Sequence, residues 1–284
     1  MNYMHQTSDR MAEGVTEIGN VDWNNSDILD SLDDFIEIYK KRPILDNTGG
    51  MKAPHLFATW FMLKRLNPEV VIESGVWKGL GTWLIEKALP EAKIYAIDPC
   101  PHFKEYISPN AEYLTEDFGK TDWSKISNKG KTALFFDDHQ DALKRIKEAN
   151  SFGFKHLIFE DNYPPSQGDC YSLRKVFAGV GFSPKKLKIK GLRSFLRYFS
   201  REGRIRPNSS DGDYLERNLE VYYEFPPVYK PDITRWGDPW TDQKYPTKMA
   251  FFDSKLPEKL SFFQEEGQFY TWICYAKIID SLTK

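Results

Sequence analysis

The chain has 284 residues, of which 40% are hydrophobic, and a formal net charge of −2. This length suffices for one large α/β domain or two small ones, and the near-neutral charge disfavours a polyanion-binding protein, so no nucleic-acid partner is expected. Three widely spaced cysteines argue against a disulfide framework, no run approaches the ~20 apolar residues of a membrane span, and the polar N-terminus lacks a signal-peptide core. We therefore expect a soluble, cytoplasmic protein without a transmembrane segment.

Helical periodicity dominates the N-terminal part of the chain. Residues 1–25 are polar, and we expect them to be poorly ordered. Apolar residues at helical spacing predict one helix within residues 26–43, between good capping residues and a proline. A second helix over residues 54–66 is apolar on nearly all sides, which is typical of a buried helix. We expect residues 1–50 to be an N-terminal tail and helix, and residues 51–284 to be one α/β domain.

Five strand-like runs alternate with helical patterns in the middle of the chain. Alternation of strand and helix implies a parallel sheet with right-handed crossovers. The fold class expected is therefore α/β, with a Rossmann-like, mostly parallel seven-stranded sheet and helices on both faces. An antiparallel C-terminal hairpin is predicted from residues 260–264 and 269–279, around a glycine turn. The five predicted parallel strands are residues 70–72, 93–98, 112–117, 132–136 and 155–159.

Residues 163–250 interrupt this pattern and are expected to be an insertion in the domain. They are rich in proline, glycine, tyrosine and charge, with a helix-like segment at residues 214–223. The basic block at residues 185–206 is either a solvated amphipathic face or a surface for an anionic substrate or a membrane. The aromatic stretches at residues 222–229 and 236–240 either stack on a sugar ring or form a small core.

Residues 70–82 form the stretch around which the sheet is predicted to be built. A β-branched strand ends at Glu73, and Gly75, Gly79 and Gly81 lead into the next helix. Such an arrangement binds nucleotide-type ligands, because glycine permits close approach and a helix N-terminus offers free N–H groups. The spacing is Gly-x-x-x-Gly-x-Gly rather than Gly-x-Gly-x-x-Gly, which disfavours a standard dinucleotide enzyme.

Four predicted strands end in acidic residues. Ligands of open α/β sheets bind at the carboxyl ends of the strands, so these acids predict one shared site. The alternative is that each acid is a solvated turn former. Asp98 follows the glycine turn by about twenty residues and ends the next strand, which suits a carboxylate that binds a ribose diol. The other strand ends carry Glu73, Asp137 and the pair Glu160-Asp161.

The Glu73-Ser74-Gly75 turn, Asp98 and the later strand-end acids together resemble the class I S-adenosylmethionine-dependent methyltransferases. The resemblance covers roughly residues 52–162 and the closing hairpin, and it implies S-adenosylmethionine as the cofactor. By this resemblance Glu73 and the turn contact the methionine portion, Asp98 holds the ribose and Asp117 lies near the adenine. Trp77, inside the turn, either covers the cofactor or packs. The implied cofactor-binding residues are Glu73, Gly75, Trp77, Gly79, Gly81, Thr82, Asp98, Asp117 and Asp137.

A second resemblance concerns residues 135–139 and 158–162, which are similar to the metal-dependent O-methyltransferases of catechol type and of macrolide sugars. It implies Asp137, Asp161 and Asn162 as metal ligands, an oxygen set that suits Mg²⁺. The metal would lower the pKa of an acceptor hydroxyl. The implied catalytic residues are His139, as general base, with Asp137 and Asp161.

Two departures from this pattern leave alternatives open. Gln140 stands where the catechol-type enzymes have a catalytic lysine, and Asp138 is an alternative to Asp137 as the ligand. His55, on an apolar helix, is expected to be packed rather than functional.

The sequence therefore predicts an S-adenosylmethionine-dependent O-methyltransferase of the EC 2.1.1 class. A sugar hydroxyl of a glycan or glycoside is the acceptor that the second resemblance implies, with Mg²⁺ assisting. The expected partner is a small-molecule or saccharide substrate, and homo-oligomerisation is left open. The alternatives are another nucleotide-dependent enzyme, or a non-catalytic glycan- or anion-binding protein on the same fold.

Overall fold

A seven-stranded β-sheet with helices on both faces organises the chain. The computed structural model describes residues 14–183, 204–252 and 256–280. The strand order is β3-β2-β1-β4-β5-β7-β6, in which β1 to β5 are parallel and β7 runs antiparallel to both of its neighbours. The predicted fold class is confirmed, including the antiparallel pair at the end of the sheet. The strands are β1 Val70–Ser74, β2 Lys93–Ile97, β3 Ala111–Leu114, β4 Thr132–Phe136, β5 His156–Phe159, β6 Leu219–Glu224 and β7 Cys274–Ile278.

The helices follow the predicted order but differ in their limits. The single helix predicted for residues 26–43 is two short helices, with Ser31 between them. Asn24 caps the first in a capping box with Asp27, so this helix begins at Asn25, one residue before the predicted range. The α-helices described are α1 Asn25–Asp30, α2 Leu32–Tyr39, α3 Ala53–Leu66, α4 Leu80–Ala88, α5 Ala142–Phe152, α6 Leu173–Phe177, α7 Ser209–Asn218 and α8 Ser261–Glu266.

Two apolar layers cover the sheet, one on each face. Neighbouring residues of β1 serve opposite layers: Val71 packs with α2, α3 and α4, and Ile72 packs on the side of α5 and α6. This follows from the alternation of side chains along a strand buried on both faces. Helix α3 has nearly its whole surface buried, as its sequence predicts. Among the described residues, no helix has the length and apolar character needed to cross a membrane.

The antiparallel pair is built from different segments than predicted. Residues 214–223 were expected to be helical, but the helix ends at Asn218 and β6 begins at Leu219. Residues 260–264 were expected to form a strand, but they lie in a short 3-10 helix and α8. The strand paired with β7 is therefore β6, which comes from within the range expected to be an insertion. The division into an N-terminal part and one α/β domain stays a prediction.

A segment near the N-terminus lies along the free edge of β6. The backbone N–H of Ile18 donates to Tyr222 O at 3.1 Å, and the N–H of Tyr222 donates to Ile18 O at 2.9 Å. Trp23 is buried against Phe61 and Tyr223. The expectation of poor order is therefore wrong for this part of residues 1–25, because backbone pairing and aromatic packing hold it. The first 13 residues, like most of the basic block at residues 185–206, lie outside the described residues.

Candidate functional site

The carboxyl ends of the parallel strands meet at one edge of the sheet and bring the predicted acids together. The ladder continues one residue beyond each strand: Gly75 N–H donates to Ile97 O at 2.9 Å, and Asp137 N–H donates to Ser74 O at 2.8 Å. Glu160 N–H donates to Phe136 O at 2.9 Å in the same way. The parallel register therefore places the residues after β1, β4 and β5 side by side.

The glycine turn between β1 and α4 is shaped by two close backbone approaches. Gly75 has φ +99° and Gly79 has φ +96°, which side chains rarely adopt. A Cβ at Gly75 would overlap the carbonyl oxygen of Asp137, and one at Gly79 would overlap the carbonyl oxygen of Tyr106. Glycine at position 75 thus lets β1 and β4 stay in contact beyond the ends of the strands, and glycine at position 79 lets the turn lie against the backbone of Tyr106.

Glu73 is fully buried at the end of β1. Its Oε2 accepts a hydrogen bond from Thr82 Oγ1, whereas Oε1 has no hydrogen-bond partner among the residues that the structure describes. A Cβ at Gly81 would overlap Oε1, so this glycine leaves room beside the carboxylate. Burial raises the pKa of Glu73 to about 8, against the lowering effect of the Thr82 hydrogen bond. A buried carboxylate oxygen without a partner is well suited to accept a hydrogen bond from a ligand.

A pocket with about 210 Å³ of empty space lies between Glu73, the glycine turn and a loop at residues 46–51. Asn47 also lines the pocket, and its buried Oδ1 likewise has no hydrogen-bond partner within the described part of the chain. Trp77 Nε1 donates to Thr48 O at 3.2 Å, and Lys78 Nζ donates to Asp46 O at 2.8 Å. The loop is therefore hydrogen-bonded to the glycine turn and covers the pocket.

Asp98 lies at the end of β2 and binds the backbone of the glycine turn. Its Oδ2 accepts from Val76 N–H at 3.1 Å and from Trp77 N–H at 2.8 Å, and its Oδ1 accepts from Cys100 N–H at 2.7 Å. A carboxylate has about four acceptor positions, so three are used here. Its predicted role at a ribose stays a prediction.

A buried arginine, Arg145, forms ion pairs with acids at this edge of the sheet. Its guanidinium contacts Asp117 through both terminal nitrogens, at 3.1 and 2.7 Å. Burial alone would raise the pKa of Asp117, but its pairing with Arg145 lowers it. Arg145 Nε also donates to Asp138 Oδ2 at 3.0 Å, and Ser74 Oγ donates to the same oxygen at 2.8 Å. Asp117, predicted near an adenine, and Asp138 are thus both tied to Arg145, which the sequence did not single out.

Asp137, His139 and Asp161 form a cluster whose ligand atoms all lie within 4.8 Å of one another. Nδ1 of His139 is 2.8 Å from Asp161 Oδ2 and 3.0 Å from Asp169 Oδ1. Asp137, rather than Asp138, is therefore the acid after β4 that joins Asp161. Such a set could hold a divalent cation, and its histidine nitrogen suits Mn²⁺, Fe²⁺ or Zn²⁺ better than Mg²⁺.

The charges in this cluster perturb one another strongly. Burial alone would lower the pKa of His139, but Asp161 and Asp169 raise it well above its usual range. Burial alone would raise the pKa of Asp161, but His139 holds it well below its usual range. Burial and the neighbouring Glu160 raise the pKa of Asp137 well above its usual range. The cluster thus pairs a charged imidazole with an ionised Asp161.

Asn162, the third predicted metal ligand, is fully buried and bonded elsewhere. Its Nδ2 donates to Tyr222 Oη at 2.8 Å, and its Oδ1 accepts from Arg174 N–H at 3.0 Å. These bonds link β5 to β6 and to α6. Its role as a metal ligand stays a prediction.

Behind the cluster, His55 joins three distant parts of the chain. Its Nε2 accepts from Thr271 N–H at 2.8 Å, so Nδ1 carries the hydrogen and donates it to Glu160 Oε1. Thr271 Oγ1 also lies 3.3 Å from Asp161 Oδ1. Burial lowers the pKa of His55 to about 3, so the ring is neutral. His55 is packed as expected, but its contacts with Glu160 and Thr271 had no sequence signal because the partners are far apart along the chain.

No protein-family model and no curated protein matches the sequence. Among solved structures, the chain is similar to the O-methyltransferase TomG from Streptomyces achromogenes in complex with SAM. That match has 12% identity over 58% of this chain and 86% of the other, with a TM-score of 0.38. The plantazolicin methyltransferase BpumL, in complex with a pentazolic desmethylPZN analog and SAH, matches at 10% identity over 90% of this chain and 94% of the other, with a TM-score of 0.40.

A third similar structure is described as cmcI-N160 SAH. The match has 18% identity, a TM-score of 0.33, and covers 39% of this chain and 62% of the other, less than two thirds of its length. Similarities at this level do not assign an activity or a substrate to this chain. The functional assignment has to stand on the site.

Proposed function

We propose that this protein is an S-adenosylmethionine-dependent O-methyltransferase. The observation that carries the proposal is the unpartnered Oε1 of Glu73, which lies at the end of β1 in the wall of the pocket under the glycine turn. A parallel α/β sheet binds its ligand at this edge, and a positively charged amino group is the partner that a buried carboxylate needs. The sequence resemblance to class I methyltransferases supports the same assignment.

The acceptors that line the pocket match the amino group of this cofactor. Glu73 Oε1 and Asn47 Oδ1 are both buried acceptors without partners, and an ammonium group has three donors. The loop leaves little open space in this pocket. The remainder of the ligand therefore requires the covering loop at residues 46–51 to move, and that loop is held to the turn through Trp77 and Lys78.

The cluster after β4 and β5 is the place where an acceptor hydroxyl would react. The cofactor supplies a methyl group on a sulfonium when bound. Because Asp161 stays ionised beside His139, it can accept a hydrogen bond from the acceptor hydroxyl and orient the oxygen. His139 retains its proton beside Asp161 and Asp169, so it acts as a base only when that charge is offset.

A divalent cation held by Asp137, His139 and Asp161 would supply a Lewis acid for the acceptor oxygen. Assistance by Mg²⁺ in particular, and a sugar hydroxyl as acceptor, are proposals that rest on the family resemblance. For the aromatic stretch at residues 236–240, the contacts favour a small core over stacking on a sugar ring. Trp236 is half-buried in an aromatic group with Tyr245 and Trp272.

Calorimetric titration with S-adenosylhomocysteine tests the proposal. The wild-type protein should bind it, and Glu73→Gln should weaken binding about tenfold or more, because a charge-assisted hydrogen bond is lost. Glu69→Gln is the matched control, since Glu69 directly precedes the amino end of β1 and its carboxylate instead accepts from Asn128. Absence of binding by a wild-type protein shown to be folded would overturn the proposal. Transfer of a labelled methyl group to an acceptor panel then distinguishes an enzyme from a binding protein.

A further inference from the structure

Two cations, Lys52 and Arg235, stand beside one aromatic ring, that of Phe269. Lys52 Nζ is 5.8 Å, and the guanidinium carbon of Arg235 is 6.0 Å, from the ring centroid of Phe269. Neither Lys52 nor Arg235 forms an ion pair with any residue that the structure describes. From this geometry we propose that the methyl acceptor carries an anionic group, a carboxylate or a phosphate, that binds between Lys52 and Arg235 beside Phe269. This inference rests on the proposed methyltransferase function and names its substrate class.

The chain places Arg235 next to the acidic cluster. The following residue, Trp236, packs parallel to Trp272, with ring centroids 6.3 Å apart and an interplanar angle of 4°. Trp236 also meets Tyr163 edge-on at 6.0 Å. Tyr163 lies two residues beyond Asp161, and Trp272 directly follows Thr271, whose Oγ1 is 3.3 Å from Asp161 Oδ1. Arg235 is therefore anchored on both segments that carry the cluster.

Lys52 lies beside the same ring of Phe269 but comes from the N-terminal end of α3. It immediately precedes α3, and the next residue, Ala53, donates its backbone N–H to Glu266 Oε2 at 2.6 Å. Glu266 ends α8, just before the 3-10 turn that carries Phe269. Lys52 is half-buried, Arg235 is exposed and Phe269 is half-buried, so all three are accessible to a ligand.

The charge pattern explains why cations would be needed here. The nearby acids Asp137, Glu160, Asp161 and Asp169 repel any anionic ligand, so its charge must be offset locally. Burial raises the pKa of Glu160 beside the cluster, and the positive charge of Arg235 acts in the opposite direction by a smaller amount. Arginine binds carboxylate or phosphate through two parallel hydrogen bonds, and an aromatic face supports a flat ligand.

The test compares anionic ligands with neutral counterparts, by calorimetry with and without S-adenosylhomocysteine. The carboxylate pair is 3,4-dihydroxybenzoate and 3,4-dihydroxybenzamide, and the phosphate pair is glucose 6-phosphate and glucose. In at least one pair the anion should bind about tenfold more tightly. Arg235→Gln and Lys52→Gln should each remove most of that preference. Lys64→Gln, an exposed change at the other end of α3, should retain it.

The inference would be overturned by equal affinity within both pairs, by no binding of either anion, or by a preference that survives both substitutions. Binding of S-adenosylhomocysteine by the wild-type protein is scored separately, so failure of the proposed function is distinguishable. A further comparison uses 5′-methylthioadenosine, which lacks the amino-acid group. If Arg235→Gln and Lys52→Gln weaken the binding of S-adenosylhomocysteine but not that of 5′-methylthioadenosine, the two cations bind the cofactor carboxylate and the acceptor proposal is wrong.

Discussion

Replacing Gly75 by alanine tests whether the glycine turn and the acidic cluster are coupled through backbone contact. At φ +99°, an L side chain is strained by about 1–2 kcal/mol. The new Cβ also overlaps the carbonyl oxygen of Asp137, and overpacking of this kind costs about 1–3 kcal/mol. We therefore expect Gly75→Ala to lower the free energy of unfolding by about 2–5 kcal/mol, a large part of the ~5–15 kcal/mol of a typical domain.

Gly153→Ala is the matched control for the strain alone. Gly153 has φ +83° at the end of α5, and a Cβ there meets no atom of the described residues within 4 Å. Urea unfolding should show Gly75→Ala to be less stable than Gly153→Ala by about 1–3 kcal/mol, and affinity for S-adenosylhomocysteine should fall only in Gly75→Ala. Equal destabilisation with unchanged affinity in both variants would refute the coupling, since it would mean that the Asp137 backbone moves aside at little cost.

Three further predictions concern charge. Arg145→Met should destabilise the protein by about 1–3 kcal/mol in chemical denaturation, because the partly buried carboxylates of Asp117 and Asp138 lose their charged hydrogen-bond donor; Lys144→Met, on the exposed face, should change stability by less than about 1 kcal/mol. The pKa of Glu73 is raised from 4.5 to about 8, so its contribution to stability is present below the lower value and lost as pH rises towards the upper one. Between these two pH values, the free energy of unfolding should therefore fall less in Glu73→Gln than in wild type. The same pH dependence of unfolding free energy in both proteins would contradict the raised pKa of Glu73. Mn²⁺ should raise the melting temperature of wild type but not of Asp161→Asn, and an equal rise in both would exclude the cluster as the binding site.

The parallel part of the sheet was predictable because its strands are buried on both faces. Residues 132–136 were predicted as a strand and are observed as one, and β1 and β5 differ from prediction by two residues or fewer. Parallel strands also place their carboxyl ends at one edge, so the acids could be assigned to one site before their contacts were known. The choice between Asp137 and Asp138 could not be made, because it depends on which side chain reaches Arg145.

The closing strands were not predictable because their pattern is set by a partner. Helix α7 runs into β6 without a proline or glycine between them, and the apolar residues near the junction fit helical spacing. These residues form strand β6 because they pair with β7, which lies about fifty residues further along the chain. The hydrogen bonds of His55 could not be predicted for the same reason. Its bonds to Glu160 and Thr271 are made only when α3 packs behind the sheet.

The pairing of Ile18 with Tyr222 has a consequence for self-association. Strand β6 is the last in the sheet order, and a bare edge strand offers a row of unsatisfied backbone groups to another chain. The Ile18 bridge satisfies two of these groups, and a Cβ at Gly19 would overlap Glu220 O, so the cover lies directly against the edge. Removing the residues before α1 would thus expose a template for intermolecular β-pairing, and the truncated protein should aggregate on concentration while the full chain stays dispersed.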